Sequence, residues 1–117
     1  MNYTDLDVGK YSRELVKLVY VLTKSFPKEE LYALTNQIRR SVVSVPSNIA
    51  EGIGSQSNKE TIHVLYIAKG SLHEVETQLY LSFDLEYISE QELNKILEKV
   101  ISTKKILNGF INYYKKL

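Results

Sequence analysis

The chain has 117 residues, of which 44% are hydrophobic and 25% charged, a balance typical of one water-soluble folded domain and not of a disordered chain. It contains no cysteine, which excludes disulfides, thiolate metal sites and a cysteine nucleophile. The net charge of +1 argues against a strong, uniform field that would hold one copy on nucleic acid. Since the sequence shows neither a secretory signal pattern nor an apolar run of about 20 residues, we expect a cytoplasmic protein without a membrane span.

Apolar residues at spacings of three and four predict a first amphipathic helix from about Asp5 to Ser25. Its apolar face is expected to contain Tyr11, Leu15, Leu18, Val19, Leu22 and Phe26. The helix should end near Phe26, because a residue before proline is pushed out of the helical region. Pro27 suits the first turn of the next helix.

A second apolar stripe predicts one long second helix that starts in the turn at Pro27. The stripe consists of Leu31, Leu34, Ile38, Val42, Val45 and Ile49. It continues in phase through Pro46, so we expect a kinked helix in which the proline removes one backbone donor. Gly52 and Gly54 should end this helix.

Two capping boxes predict the starts of a third and a fourth helix. Ser57 is followed three residues later by Glu60, and Ser89 is followed in the same way by Glu92. The third helix should end around Glu86 and Tyr87. Helices joined by short connections pack antiparallel to their neighbours, so the predicted fold is an all-α, up-down-up-down four-helix bundle formed by residues 1–117 as one domain.

A search for catalytic or metal-binding sets finds none that is complete. Glu60 and His63 match one Glu-x-x-His box of a di-iron bundle, but the only other histidine, His73, has Gly70 three positions before it. The two histidines are separated by about 15 Å along one helix and cannot share a metal. No nucleophile turn and no phosphate-binding loop is recognisable. We therefore expect a protein without enzymatic activity, metal or cofactor.

A polar stripe lies beside the apolar stripe of the second helix, and a shorter one lies on the third. The second helix contributes Gln37, Arg40, Ser44, Asn48 and Glu51, and the third contributes Ser71, Glu74 and Gln78. Gly70, in the middle of a helix, suggests close approach of another helix there. We expect a buried polar seam between helices or between subunits, in which Arg40 pairs with Glu51 or Glu74 while Arg39 lies nearer the surface.

Charge is unevenly distributed near the C-terminus. From Glu74 to Glu98 the sequence has seven acidic residues and one lysine. After Glu98 all the charged residues are lysines. These lysines are Lys99, Lys104, Lys105, Lys115 and Lys116. They can be solvated charges that complement the helix C-terminus, or, together with Arg39, a nucleic-acid-binding surface.

The run QIRRSVVSVPSNIAEGIG, the following KE and the segment IAKGSLHEVETQL resemble proteins related to those encoded in intervening sequences of bacterial 23S ribosomal RNA genes. The resemblance also includes LVKLVYVLTKSFPKEELYALTNQ and extends to about Tyr87. It implies a four-helix bundle that assembles into a homopentameric ring and associates with RNA or the ribosome. Accessory proteins of diversity-generating retroelements share this fold, and they bind nucleic acid and a reverse transcriptase through a more basic surface.

Two departures from that family qualify what the resemblance implies. Ser55-Gln56-Ser57 stands where arginines are common, which weakens nucleic-acid binding at that turn, and Gly9 stands where an aromatic residue is frequent, which suggests a loosely anchored N-terminal turn. We expect an oligomeric scaffold that binds structured RNA or DNA weakly. The alternative is a scaffold that docks a partner protein, such as a nucleic-acid enzyme, without touching nucleic acid itself.

Overall fold

A computed structural model describes residues 2–117, which form four long helices and no strand. The helices are α1 (Asp7–Thr23), α2 (Leu34–Ile53), α3 (Asn58–Asp84) and α4 (Glu90–Lys115). Short 3-10 turns precede α1 at Tyr3–Asp5 and α2 at Lys28–Glu30. Each helix packs against its neighbours in the chain, and α1 also packs against α4, so the predicted all-α four-helix bundle is confirmed.

The bundle core is built from the predicted apolar stripes, since spacings of three and four place those side chains on one face of each helix. Residues with no exposed surface come from every helix: Leu15, Val19, Ile38, Val42, Val45, Ile49, Leu65, Leu72, Val75, Leu79, Val100 and Leu107. For two residues of these stripes the predicted burial in the core is wrong: Leu18 is 37% exposed and Leu31 is 47% exposed. Leu31 falls in the turn before α2 and not on its buried face.

The second helix begins later than predicted. Pro27 starts a 3-10 turn, and Ala33, with φ −125° and ψ −109°, separates that turn from α2. The side chain of Ala33 cannot cap the helix. Instead, Glu30 Oε1 accepts a hydrogen bond of 3.4 Å from the Leu34 N–H. Pro46 lies inside α2, as predicted, and Gly54 follows its last residue.

Serine caps fix the starts of α3 and α4. Ser57 Oγ accepts a hydrogen bond from the Glu60 N–H at 3.2 Å. Ser89 Oγ accepts one from the Glu92 N–H at 3.1 Å, and Glu92 Oε1 accepts the return bond from the Ser89 N–H at 2.9 Å. Each cap stabilises its helix by about 1 kcal/mol. Both predicted starts are confirmed, and the complete capping box occurs at α4.

Gly9 allows the N-terminal turn to pack tightly on α1. A Cβ atom at this position would lie 2.5 Å from the backbone oxygen of Tyr3, closer than any side chain could be accommodated. Gly9 is buried, and Tyr3 packs against the core. The expectation of a loosely anchored N-terminal turn is therefore wrong. Because Gly9 has no side chain, the backbone at Tyr3 can pack directly against the backbone of α1.

Candidate functional site

Small polar side chains join α2 to α3. Ser44 Oγ donates a hydrogen bond to Ser71 Oγ, and Ser41 Oγ is 3.4 Å from Glu74 Oε2. Asn48 Nδ2 donates to the Ser44 carbonyl oxygen at 2.8 Å. Because serines are short, the two helix backbones can approach each other along this line. The structure thus joins two residues of the predicted seam, Ser44 and Ser71, across the two helices. It also places Glu74 against Ser41, which the helical spacing had not singled out, whereas the bond of Asn48 lies within α2.

The other predicted members of the seam lie outside it or at its rim. Gln37, Glu51 and Glu74 are exposed, and the half-buried Gln78 has an Oε1 atom that accepts no hydrogen bond within residues 2–117. A shallow groove is lined by Gln37, Glu74, Gln78 and Leu81. The seam is therefore a line of short hydroxyl groups covered by larger polar side chains that reach solvent.

The positions of the two arginines are the reverse of those expected. Arg39 is half-buried: its Nε donates to Thr23 Oγ1 at 2.9 Å, and its guanidinium carbon lies 4.8 Å from the centre of the Tyr20 ring. Arg40 is exposed, and no carboxylate of residues 2–117 lies within 4.0 Å of its guanidinium. One residue step turns a helix by about 100°, which directs Arg39 toward α1 and Arg40 outward. The predicted pairing of Arg40 with Glu51 or Glu74 inside one chain is wrong.

Gly70 does not mark an approach of two helices within the chain. It is exposed, and a Cβ atom built on it would meet nothing within 4 Å. Its neighbours on the same side of α3 include Ile67, which is 46% exposed, and Leu81, which is 45% exposed. We use the name α2–α3 outer face for Gln37, Arg40, Ile67, Gly70, Glu74 and Leu81.

The five C-terminal lysines do not form one patch. Lys99 pairs with Glu14 of α1, and its Nζ lies 4.2 Å from the centre of the Tyr11 ring. Lys104 Nζ lies 3.1 Å from Glu76 Oε1 of α3. These contacts leave the Lys99 and Lys104 side chains only 21% and 18% exposed. Lys115 donates to the Tyr66 hydroxyl, whereas Lys105 and Lys116 are exposed. Of the predicted nucleic-acid-binding lysines, Lys99 therefore contacts α1, Lys104 and Lys115 contact α3, and the other two extend into solvent.

Two tyrosines associated with α3 have pKa values shifted in opposite directions. The hydrogen bond from Lys115 is the main cause that lowers the pKa of Tyr66 below its ordinary value. At the far end of α3, the Tyr87 hydroxyl donates to Glu30 Oε2 at 2.6 Å, and this bond is the main cause that raises the pKa of Tyr87. Glu30 thus holds both the start of α2 and the α3–α4 turn.

Three remaining features concern metal binding, membrane insertion and a groove on the surface. Within residues 2–117 no three histidine, aspartate or glutamate side chains are close enough together to bind a metal, and His63 is exposed. In the same part of the chain, no helix combines the length and the apolar character needed to cross a bilayer. An apolar groove between α1 and α4 is lined by Leu18, Val21, Leu22 and Ile96.

The fold and the sequence agree with those of known proteins. A family model described as 23S rRNA-intervening sequence protein matches residues 4–109. A crystal structure of a protein with unknown function from the S23 ribosomal protein family of Bacteroides thetaiotaomicron VPI-5482 is similar, with 28% identity and a TM-score of 0.80 over 90% of this chain and 95% of that one. No curated protein matches the chain. Since the family model matches most of its residues, the chain belongs to the 23S rRNA-intervening sequence protein family.

Proposed function

We propose that this protein is a non-enzymatic scaffold whose copies assemble through the α2–α3 outer face and associate weakly with structured RNA or the ribosome. The ring expected from the resemblance, a homopentamer, is the proposed assembly. Each copy would then contribute a small number of cations, and the assembled protein would present them several times. Multivalency converts modest affinity per subunit into useful overall affinity.

The unpaired state of the α2–α3 outer face is the observation that carries the assembly proposal. Arg40 has no carboxylate partner within residues 2–117, Gly70 leaves open space in the middle of a helix, and Ile67 is 46% exposed beside that glycine. An open strip on α3 lets another helix approach closely, and the flanking apolar and charged groups supply contacts for it. A second copy would give Arg40 the carboxylate that its own chain does not.

The family description supports the RNA part of the proposal, since it refers to 23S rRNA intervening sequences. The structural relative from Bacteroides thetaiotaomicron is assigned to a ribosomal protein family. Exposed cations that make no ion pair in residues 2–117, such as Lys105 and Lys116, are available for phosphates.

Light scattering tests both parts in one sample series. The mass of the purified protein should be a multiple of 13.5 kDa, and it should not change on nuclease treatment if protein contacts hold the assembly. The absorbance ratio at 260 and 280 nm reports co-purified nucleic acid. A single-copy mass under all conditions would reject assembly, and absence of salt-sensitive binding to any RNA at low ionic strength would reject RNA association.

A second candidate function is a scaffold that docks a partner protein without contacting nucleic acid. The observation in its favour is that Lys99, Lys104 and Lys115 are held by groups of their own chain, while the α1–α4 groove exposes apolar surface. An affinity pull-down distinguishes the two functions. Partners held through RNA should be released by nuclease, whereas direct protein partners should stay bound.

A further inference from the structure

The outward side of α1 is a row of cations that helical periodicity alone places together. Lys10, Arg13, Lys17 and Lys24 follow one another at spacings of three, four and seven, so all four project from the same side of the helix. All four are exposed. From Lys10 to Lys24 the row extends about 21 Å along the helix. We call these four residues the α1 basic stripe.

None of the four cations makes an ion pair within residues 2–117, in contrast to Lys99 and Lys104 of α4. Glu14 lines the same shallow depression as Lys10, Arg13 and Lys17. Glu14 is engaged by Lys99 of α4 and is turned toward that helix. The stripe therefore presents four cations without an ion pair in residues 2–117, although the net charge of the protein is only +1.

The aromatic rings next to the stripe are already covered by cations. The Arg39 guanidinium lies 4.8 Å from the centre of the Tyr20 ring, and Lys99 Nζ lies 4.2 Å from that of Tyr11. Binding of single strands without sequence preference relies on free aromatic faces on which bases stack. Since each of the two rings beside this surface is already in contact with a cation, the surface suits the phosphate backbone of a duplex better than unpaired bases.

A membrane surface fits this stripe less well than a nucleic acid does. Interfacial helices place an apolar face in the lipid below their cations. In α1 the face opposite the stripe contains Leu15 and Val19, which have no exposed surface because they form the bundle core. The most exposed large apolar side chain between Lys17 and Lys24 is Val21, at 58%, and Leu18 beside it is 37% exposed, so the stripe has only a small apolar border.

We propose that the α1 basic stripe binds the phosphate backbone of base-paired RNA, with Arg39 held beside it by Tyr20 and Thr23. This inference rests on the proposed RNA association. It assigns the main RNA-binding residues to α1 and not to the lysines of α4. A duplex carries about one negative charge for each ~1.7 Å of its axis, so a stripe of this length faces more phosphates than it has cations. All four cations can therefore find a partner at once.

The test measures binding of a fluorescent RNA hairpin by anisotropy at several salt concentrations. The triple variant Lys10→Ala, Lys17→Ala, Lys24→Ala removes three cations from the stripe. The control triple variant Lys95→Ala, Lys105→Ala, Lys116→Ala removes the same charge from exposed lysines of α4. Because all six side chains are exposed and make no ion pair in residues 2–117, both variants should keep the wild-type helix content and melting curve.

The proposal predicts that the stripe variant loses at least about tenfold in affinity and that its salt dependence falls by about one power of the salt concentration per lysine removed. The control should stay within about threefold of wild type. Equal losses in both variants, or a loss only in the control, would overturn the stripe while leaving RNA association intact. Tighter binding of a single strand than of the hairpin would also overturn it.

Two further outcomes reject more than the position of the site. If the wild-type protein binds no RNA at any salt concentration, the proposed RNA association and the stripe fail together. If instead the wild-type protein sediments with phosphatidylserine vesicles, ignores RNA, and loses vesicle binding in the stripe variant, the stripe is a membrane contact and the RNA proposal is wrong.

Discussion

The α1–α4 seam and the α2–α3 seam differ in how many of their polar groups find a partner within the chain. Between α1 and α4, Glu14 pairs with Lys99, and the same lysine covers the Tyr11 ring. Between α2 and α3, short hydroxyl groups join the helices, and the larger polar groups beside them end in solvent. Arg40 has no ion-pair partner on this side, where the α2–α3 outer face also exposes Ile67 and Leu81.

This difference separates charges used for folding from charges left for partners. A charge that finds its partner in the same chain contributes little to recognition, because its field is already compensated. The α1–α4 side therefore contains paired charges at the seam, at Glu14 and Lys99, and charges without an ion pair in residues 2–117 on the outer sides of both helices. The α2–α3 side combines open space at Gly70 with unpaired groups, which is what a surface for a second copy requires.

The largest expected effect comes from filling the α2–α3 seam. Ser71 is 7% exposed and contacts Ser44, so Ser71→Leu should overpack the seam and lower the free energy of unfolding by about 1–3 kcal/mol. Thr77→Leu, at an exposed position of the same helix, should change it by less than about 0.5 kcal/mol. Urea unfolding followed by circular dichroism gives both values, and equal stabilities would show that the seam is loosely packed.

The neighbouring arginines should separate folding from assembly. Arg39→Ala removes a hydrogen bond to Thr23 and the contact with Tyr20, so it should destabilise the chain by about 1–2 kcal/mol. Arg40→Ala removes no contact of this kind and should leave the chain's own unfolding free energy within about 0.5 kcal/mol while weakening self-association. Denaturation at low protein concentration measures the first effect and the concentration dependence of the mass measures the second. A larger loss of stability for Arg40→Ala would contradict the orientation of the two side chains.

The α1–α4 seam should respond weakly and only at low salt. The ion pair of Lys99 with Glu14 is partly exposed, so Lys99→Met should cost less than about 1 kcal/mol. In ~1 M salt much of that difference should disappear, because screening weakens exposed ion pairs. Lys105→Met, at an exposed lysine without an ion pair in residues 2–117, is the matched control. Thermal melts at two salt concentrations test this, and a loss independent of salt would mean that packing of the lysine stem dominates.

Alkaline pH tests the hydrogen bond between Glu30, in the turn before α2, and Tyr87, in the turn between α3 and α4. Glu30 raises the pKa of Tyr87, so the hydrogen bond stabilises the fold while the tyrosine is protonated and is lost as pH rises through that raised pKa. Stability should therefore fall more steeply above about pH 10 in wild type than in Tyr87→Phe. Melting temperatures recorded from pH 8 to 11 give the comparison, and parallel curves would show that the bond does not contribute.

Local sequence signals predicted most of the architecture because they act over a few residues. The apolar spacing places Ile38 and Leu72 in the core, and the serine caps of α3 and α4 form at the predicted residues. Leu31 has the spacing of a core residue but is exposed, because the turn from Lys28 to Ala33 interrupts the helical phase before α2 begins. Periodicity cannot show such an interruption when no glycine or second proline marks it.

The candidate site was less predictable, because it depends on which helix covers which face. Helical spacing put Arg40 in the polar stripe but could not show that α1 lies on the side of Arg39. The bond between Glu30 and Tyr87 joins residues 57 positions apart, and no local pattern predicts it. The basic stripe of α1 was not singled out from the sequence, although its cations are periodic, and only the structure showed that Glu14 pairs with Lys99.

The most direct test of the unfinished α2–α3 side uses two glycines as matched sites. Gly70 and Gly109 are both exposed helix residues at which a Cβ atom would meet nothing within 4 Å, and only Gly70 lies on the α2–α3 outer face. Light scattering of wild type, Gly70→Trp and Gly109→Trp should give the same multiple of 13.5 kDa for wild type and Gly109→Trp, and a single-copy mass for a folded Gly70→Trp. An unchanged mass for Gly70→Trp, or a wild-type mass of one copy, would contradict assembly through this face.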